Sequence, residues 1–258
     1  MFFHQGKPHW KANALTEQIS SETSQDRVAV ITGGSRGIGL AMARVFADAG
    51  YAVIITGRDP TRLSDAVADL KERGGWIDGI TCDVCDPAAV AKLFEILEQQ
   101  YRSIDVLVNN AGVAHELLPV DKLPVETWKQ VIDTNLTGTF LVTRAALPLI
   151  AAGGTIVNNL SIAAVQPFSG MSAYNAAKFG ALGFTKALRE EVRKQRIRVL
   201  ALIPGATNTD IWQQFWPEAP REKMMSPQTV AEAVLHAVSA PAEASVEEIV
   251  IGPTAGVL

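Results

Sequence analysis

The sequence predicts a doubly wound α/β fold, with a seven-stranded, mostly parallel sheet and helices on both faces. Three observations carry this expectation. Seven short β-branched runs alternate with stretches whose apolar residues recur at spacings of three and four. The alternation is regular from residue 27 onward, with no repeat, low-complexity tract or linker to interrupt it. The chain of 258 residues, 48% of them hydrophobic, is long enough for one large core and is better suited to that than to two small ones.

Residues 1–26 are polar and lack sustained periodicity, so they read as an N-terminal extension outside a single domain at 27–258. His4 and His9 in it read as solvated side chains rather than a metal pair. The strands then fall at 28–32 (VAVIT), 52–56 (AVIIT), 79–82 (GITC), 105–109 (DVLVN), 154–160 (GTIVNNL), 198–203 (RVLALI) and 248–251 (EIVI). Helices are expected over 37–49, 60–73, 87–100, 124–150, 172–195 and 227–239. Asp59-Pro60, Asp86-Pro87 and Ser226-Pro227 each offer a side-chain oxygen at the N-cap and proline at the first helical position. Strand–helix–strand units of this kind cross over with a right hand and cover both faces of the sheet.

Charge and composition narrow the function. A net charge of -4 and a pI of about 5.6 disfavour a nucleic-acid surface, which carries a basic excess. No apolar run approaches the ~20 residues of a membrane helix. The opening MFFHQGKPHW lacks the basic-then-apolar pattern of a secretory leader, so a cytoplasmic protein is expected. Cys82 and Cys85 form a C-x-x-C, yet no histidine stands at ligand spacing nearby, and Cys82 closes a strand where a redox motif opens a helix. The pair reads as ordinary packing, and no metal site is expected.

The first strand runs into Thr32-Gly33-Gly34-Ser35-Arg36-Gly37-Ile38-Gly39 and then into a helix. Glycines at a strand-to-helix turn let backbone approach a pyrophosphate, whose charge is favoured at a helix N-terminus. The spacing is G-x-x-x-G-x-G, not the usual G-x-G-x-x-G. NAD-binding units place an acid at the end of the second strand for the ribose 2′-hydroxyl. Here Gly57 stands in that place and Arg58 follows it, while Asp59 is better used as a helix cap. Arg58 and Arg36 together suit a 2′-phosphate, so NADP is preferred as cofactor and NAD is the alternative.

Further along come Asn109-Asn110-Ala111-Gly112 after the fourth strand, Ser161 after the fifth, and Tyr174-Asn175-Ala176-Ala177-Lys178 in a helix. A spacing of four puts Tyr174 and Lys178 on one helix face. Tyrosine, with an ordinary pKa near ~10, is a poor base at neutral pH, and a neighbouring ammonium is expected to bring it toward the working range. A serine hydroxyl from a strand end can then hold the substrate oxygen.

As a set, TGGSRGIG, NNAG, Asn135 in DTNLTG, Ser161, Tyr174 with Lys178, and Pro204-Gly205 with Thr209 resemble the short-chain dehydrogenase/reductase family over residues 27 to 251. The resemblance implies a Rossmann fold and a tetrad of Asn135, Ser161, Tyr174 and Lys178. In it Tyr174 is the acid/base, Ser161 polarises the substrate oxygen, Lys178 binds the nicotinamide ribose and Asn135 holds a relay water. The resemblance also implies cofactor contacts from Gly33, Ser35, Arg36, Gly37, Ile38 and Gly39, from Asp83 and Val84 near the adenine, from Asn110 near the adenine-side ribose, and from Thr207 and Thr209 near the carboxamide. It implies a homodimer or homotetramer. The chain ends in EEIVIGPTAGVL where many relatives have a glycine-rich segment, which leaves the expected cofactor site intact and puts the subunit contacts in doubt.

Trp212, Phe215 and Trp216 fall at spacings of three and four in the segment after Pro204-Gly205, either as an apolar lid over a substrate or as packing against the body. A neutral, partly apolar carbonyl or alcohol is the expected substrate, of 3-oxoacyl or carbonyl reductase type. An NAD-dependent alcohol or sugar dehydrogenase and a non-catalytic dinucleotide sensor are the alternatives.

Overall fold

The computed structural model describes residues 27–256; the expected N-terminal extension, with His4 and His9, lies outside them. Seven strands form one sheet: β1 (Val28–Ile31), β2 (Ala52–Gly57), β3 (Ile77–Thr81), β4 (Ile104–Asn109), β5 (Ile150–Asn159), β6 (Arg198–Pro204) and β7 (Glu248–Ile251). Their order is β3-β2-β1-β4-β5-β6-β7, and every neighbouring pair is parallel. The sheet is therefore wholly parallel rather than mostly so. Its strand order reverses between β1 and β4, and the crevice at the C-terminal ends of the strands opens there.

The period of two in the strands divides the core. In β1, Ala29 and Ile31 join Val53 and Ile55 of β2 on one face. There they meet Met42 and Phe46 of α1 (Gly37–Asp48), Leu63 and Leu70 of α2 (Pro60–Glu72) and Val230 and Val234 of α7 (Pro227–Val238). Val28, Val30, Ala52 and Ile54 point to the opposite face. That layer holds Leu93 and Leu97 of α3 (Pro87–Gln100), Leu141 and Val142 of α5 (Gly138–Ala146), and Leu188 and Val192 of α6 (Ser172–Val192). Strands buried on both faces explain why the runs are apolar throughout. The Val28 amide donates to Asp105 Oδ2 at 2.8 Å, which pins the start of β1 to β4.

The three cap-and-proline signals all hold. Asp59 accepts from the amides of Thr61 and Arg62, Asp86 from Ala88, and Ser226 from Thr229. The helix expected over 124–150 is present as a helical run from Val125 to Leu149, made of α4 (Val125–Ile132), a π-helical stretch at Asp133–Thr137, α5 and a 3-10 turn at Leu147–Leu149, after which β5 already begins at Ile150. Pro148 explains the end, because its ring would clash with the carbonyl four residues back in a continuing helix. β5 is also longer than expected, since an irregularity lies between its pairings Ile104↔Ile150 and Val106↔Thr155.

Candidate active site

One cavity of about 620 Å³ opens at the C-terminal ends of the strands. At its first end the turn after β1 runs through Gly33 (φ 63°) and Gly37 (φ 56°), a left-handed backbone that favours glycine. The turn leads into α1, whose N-cap residue Arg36 makes no side-chain cap. By contrast α2, α3 and α7 are each capped by a side chain. The first-turn amides of α1 are thus left for a guest, and Gly37 and Ile38 line the cavity there. Gly33, Ser35 and Arg36 line it too, as do Gly57 and Arg58 at the end of β2. The side chains of Arg36 and Arg58 are exposed and make no hydrogen bond or ion pair among the described residues. Gly39 is placed differently. It is buried behind the turn, where a Cβ would run into Asn110 Nδ2 and the Gly33 carbonyl, so it lets α1 pack close rather than facing the cavity.

Asn110 is a brace at the switch point. Its Nδ2 donates to the carbonyls of Thr32 (2.9 Å) and Gly33 (3.0 Å), and its Oδ1 accepts from Asn159 Nδ2 at 2.8 Å. Thr32, which sequence reasoning passed over, completes the joint: its Oγ1 accepts from the amides of Asn110 and Ala111. After β3, Val84 is buried and lines the cavity, whereas Asp83 turns its Oδ1 back to the Cys85 amide at 3.0 Å and is not on the wall. The sequence expected both near the adenine; of the two, Val84 is on the cavity wall, while Asp83 closes its own turn.

Ser161, Tyr174 and Lys178 meet in the middle of the cavity. Ser161 follows β5 and caps a short 3-10 turn, accepting from the Ala163 amide at 3.1 Å. Tyr174 and Lys178 stand on the first turns of α6. Asn175 between them holds the entry loop, accepting from the Phe168 amide and donating to the carbonyls of Ala163 and Gln166. Lys178 Nζ donates to the Asn159 carbonyl at 3.0 Å and lies 5.5 Å from the centre of the Tyr174 ring. Burial dominates both groups. It pushes the Tyr174 hydroxyl up to about 12, against a hydrogen bond with Ser161 that pulls it down. It draws the Lys178 ammonium down to about 8. In the protein alone Tyr174 is thus shifted up rather than down, because burial disfavours the phenolate.

Asn135 sits in the π-helical stretch and lines the cavity, yet its side chain is fully used by backbone: Nδ2 donates to the carbonyls of Val113 (2.9 Å) and Val131 (2.8 Å), and Oδ1 accepts from the Val113 amide at 3.3 Å. It fastens the loop after β4 to the helix beneath.

At the far end, Thr207 is buried and Thr209 half-buried, and both line the cavity. The segment continues as a 3-10 turn, Asp210–Gln214, and gathers its aromatics: Trp212 to Phe215 is 4.8 Å and Trp212 to Trp216 is 6.2 Å between ring centres. All three line the cavity, so they form a wall of the site as well as packing on the body. Gln214 Oε1 accepts from the Ala114 amide at 2.9 Å and ties this segment to the loop after β4. The chain's end also contributes: Ile251, Pro253 and Gly256 line the cavity, a contact that the sequence did not suggest.

Of the two cysteines, Cys82 lines the cavity beside Val84 and Cys85 does not. Cys82 is buried and its thiol is pushed up to about 11, mainly by burial, while Cys85 Sγ lies 3.4 Å from Thr134 Oγ1. Among the described residues no group of three or more histidine, cysteine or acidic side chains is placed to hold a metal ion, and no helix is long and apolar enough to cross a membrane.

Comparison with known proteins agrees with this arrangement. Residues 27–220 match the family model of the short chain dehydrogenases. A 3-oxoacyl-[acyl-carrier-protein] reductase of Synechocystis sp. is 34% identical over 226 residues, covering 84% of this chain and 91% of the relative. Among solved structures, the alcohol dehydrogenase of the archaeon Thermococcus sibiricus complexed with 5-hydroxy-NADP superposes with a TM-score of 0.83 at 29% identity, covering 89% of this chain and 97% of that one. A variant of actinorhodin polyketide ketoreductase with NADPH gives 0.80 at 31% identity, covering 89% and 97%. With its parallel sheet, its glycine turn at the switch point and these relatives, the chain belongs to the short-chain dehydrogenase family and is an NAD(P)-dependent oxidoreductase acting on CH–OH groups.

Proposed function

We propose that the protein is an NADP(H)-dependent carbonyl reductase, with Tyr174 as the acid/base at the substrate oxygen. The observation that carries this reading is the meeting of Ser161, Tyr174 and Lys178 in the same cavity that the glycine turn opens into. The residues present suit a dinucleotide phosphate: α1 has uncapped first-turn amides, and two unpartnered arginines face the same space. Arg36 and Arg58 would hold the 2′-phosphate, Gly33, Ser35, Gly37 and Ile38 the pyrophosphate, Val84 the adenine, Lys178 the nicotinamide ribose, and Thr207 and Thr209 the carboxamide. Asn110, on the cavity wall, would stand near the adenine-side ribose while bracing the turn, and Gly39 and Asp83 would act from behind, by shaping the turns. When bound, the cofactor supplies the hydride at the substrate carbon, or takes it up.

The chain's own groups handle the oxygen and the proton. A hydroxyl raised to about 12 keeps Tyr174 protonated at neutral pH, the form that donates to a carbonyl oxygen. Ser161 holds that oxygen through its own hydroxyl. Lys178, at about 8, is mainly an ammonium at pH 7 and stabilises the phenolate left after donation. Asn135 positions the Val113 backbone beside them. The family resemblance supports a homodimer or homotetramer, with residues 27–258 as one domain.

Replacing Tyr174 with Phe tests the mechanism, because it removes the hydroxyl and leaves the ring to pack. Turnover should fall at least ~100-fold while NADPH affinity changes little. A variant with near-normal turnover would refute the assignment.

A further inference from the structure

The cavity is electrically lopsided. The ends of β1 and β2 and the first turn of α2 bring three cations, Arg36, Arg58 and Arg62, and one acid, Asp59, to its wall. Among the described residues, the half built on β4 to β7 has two charged wall groups, Lys178 and Asp210. Lys178 is buried at the reacting end and already engaged with the Asn159 carbonyl. Arg221, just outside the wall, is tied down by Asn208 Oδ1 (3.3 Å) and the Thr209 carbonyl (2.6 Å). No free cation is therefore offered on this side among the described residues. What is offered instead is apolar: Phe168 and Met171 from the loop before α6, and the cluster of Trp212, Phe215 and Trp216, all on the cavity wall. The mouth is apolar as well, with Leu117 49% and Trp216 38% exposed on the same cavity. Ring faces and a thioether suit a flat apolar group, whereas an anion placed there would lose water and gain no partner.

We infer that the substrate is an uncharged carbonyl compound bearing an apolar group of aryl size, and that the site rejects carboxylate and sulfonate analogues. The inference rests on the oxidoreductase reading above and adds the charge and bulk of what is bound. Asp210 strengthens the rejection, because a carboxylate at the aromatic wall faces a like charge. In the reduction itself the carbonyl carbon gains a hydride and its oxygen a proton, while NADPH becomes NADP⁺.

Methyl benzoylformate and benzoylformate form a matched pair, differing in one negative charge beside the same aryl ketone. Calorimetric titration of the full chain saturated with NADP⁺ should show the ester binding at least ~10-fold tighter than the acid, the scale of an unpaired charge at a closed site. Asp210→Asn should narrow the ratio, and Trp216→Arg should bring the acid to parity or better by supplying a cation. Equal binding of the two, tighter binding of the acid, or binding of neither by the unaltered protein overturns the inference. NADPH consumption with the ester is read separately. An ester that binds tightly and is never reduced refutes the role given to Tyr174 and leaves the charge and size selection standing. An acid reduced with the higher kcat/KM does the reverse.

Discussion

Lys178 should cost the protein stability that its removal returns. The residue is 5% exposed, and its ammonium is drawn from 10.5 to about 8 by burial alone. At about 1.36 kcal/mol per pKa unit, holding it charged in the folded state costs about 3 kcal/mol at neutral pH. Methionine fills similar space without charge, but it gives up the bond to the Asn159 carbonyl, worth about 1–1.5 kcal/mol. Lys178→Met should therefore be about 2 kcal/mol more stable at pH 7 while losing at least ~100-fold in turnover. The sign follows from linkage. Below pH 8 both folded and unfolded lysine are protonated and the penalty is complete. Between 8 and 10.5 the unfolded chain holds a proton that the folded one has shed, so the parent gains stability as pH rises. Above 10.5 only the lost hydrogen bond remains, and the variant becomes the weaker protein. Urea melts of both proteins at pH 7 and pH 10.5 measure this directly. A variant less stable at pH 7, or a difference of the same size at both pH values, refutes the reasoning.

Two further outcomes concern the ends of β2 and β3. The parent should bind NADPH about tenfold or more tightly than NADH, with the gap narrowing as salt screens the arginines. Gly57→Asp combined with Arg58→Leu should reverse the preference. A Cβ at Gly57 would lie 3.3 Å from Ser35 Oγ, so the new side chain needs only a small adjustment; equal affinity for the two cofactors in the parent sinks the role of Arg58. Cys82→Ala with Cys85→Ala should leave metal content and response to oxidant unchanged and lower stability by about 1 kcal/mol. Stoichiometric zinc in the parent, absent from the double variant, would show the pair to be a ligand site.

Much of this was legible in local pattern. Asp59-Pro60, Asp86-Pro87 and Ser226-Pro227 mark helix starts through bonds that span three residues at most, so short-range chemistry decides them. The spacing of Tyr174 and Lys178 works the same way, since a helix brings them together without outside help. What escaped depends on partners far away in the chain. Asn135 reads as a relay residue in sequence, and the pattern does not show that its side chain also bonds Val113, 22 residues earlier, as well as Val131. Asp83 bonds the Cys85 amide and stands off the cavity wall, and nothing in TCDVCD shows which way a carboxylate turns. The apolar spacing of 124–150 runs through one continuous helical stretch, and periodicity alone does not see the π-helical insertion within it or the tightening at Pro148. The direction of the Tyr174 shift was misjudged for a related reason: spacing reveals the neighbouring ammonium but not the burial that outweighs it.

The strand order also has a consequence for how the chain is made. β1 is synthesised first yet lies inside the sheet, between β2 and a β4 that begins at Ile104. Until the ribosome has released that fourth strand, one edge of β1 stays unpaired. The residues along it, Val28 to Ile31, are ones the finished protein buries completely. Non-local parallel pairing closes slowly, and an open apolar edge invites pairing with other chains in the meantime. Expression should therefore be most vulnerable during synthesis of the first hundred or so residues, and slower growth at lower temperature or added chaperone should raise the soluble yield without touching the folded state.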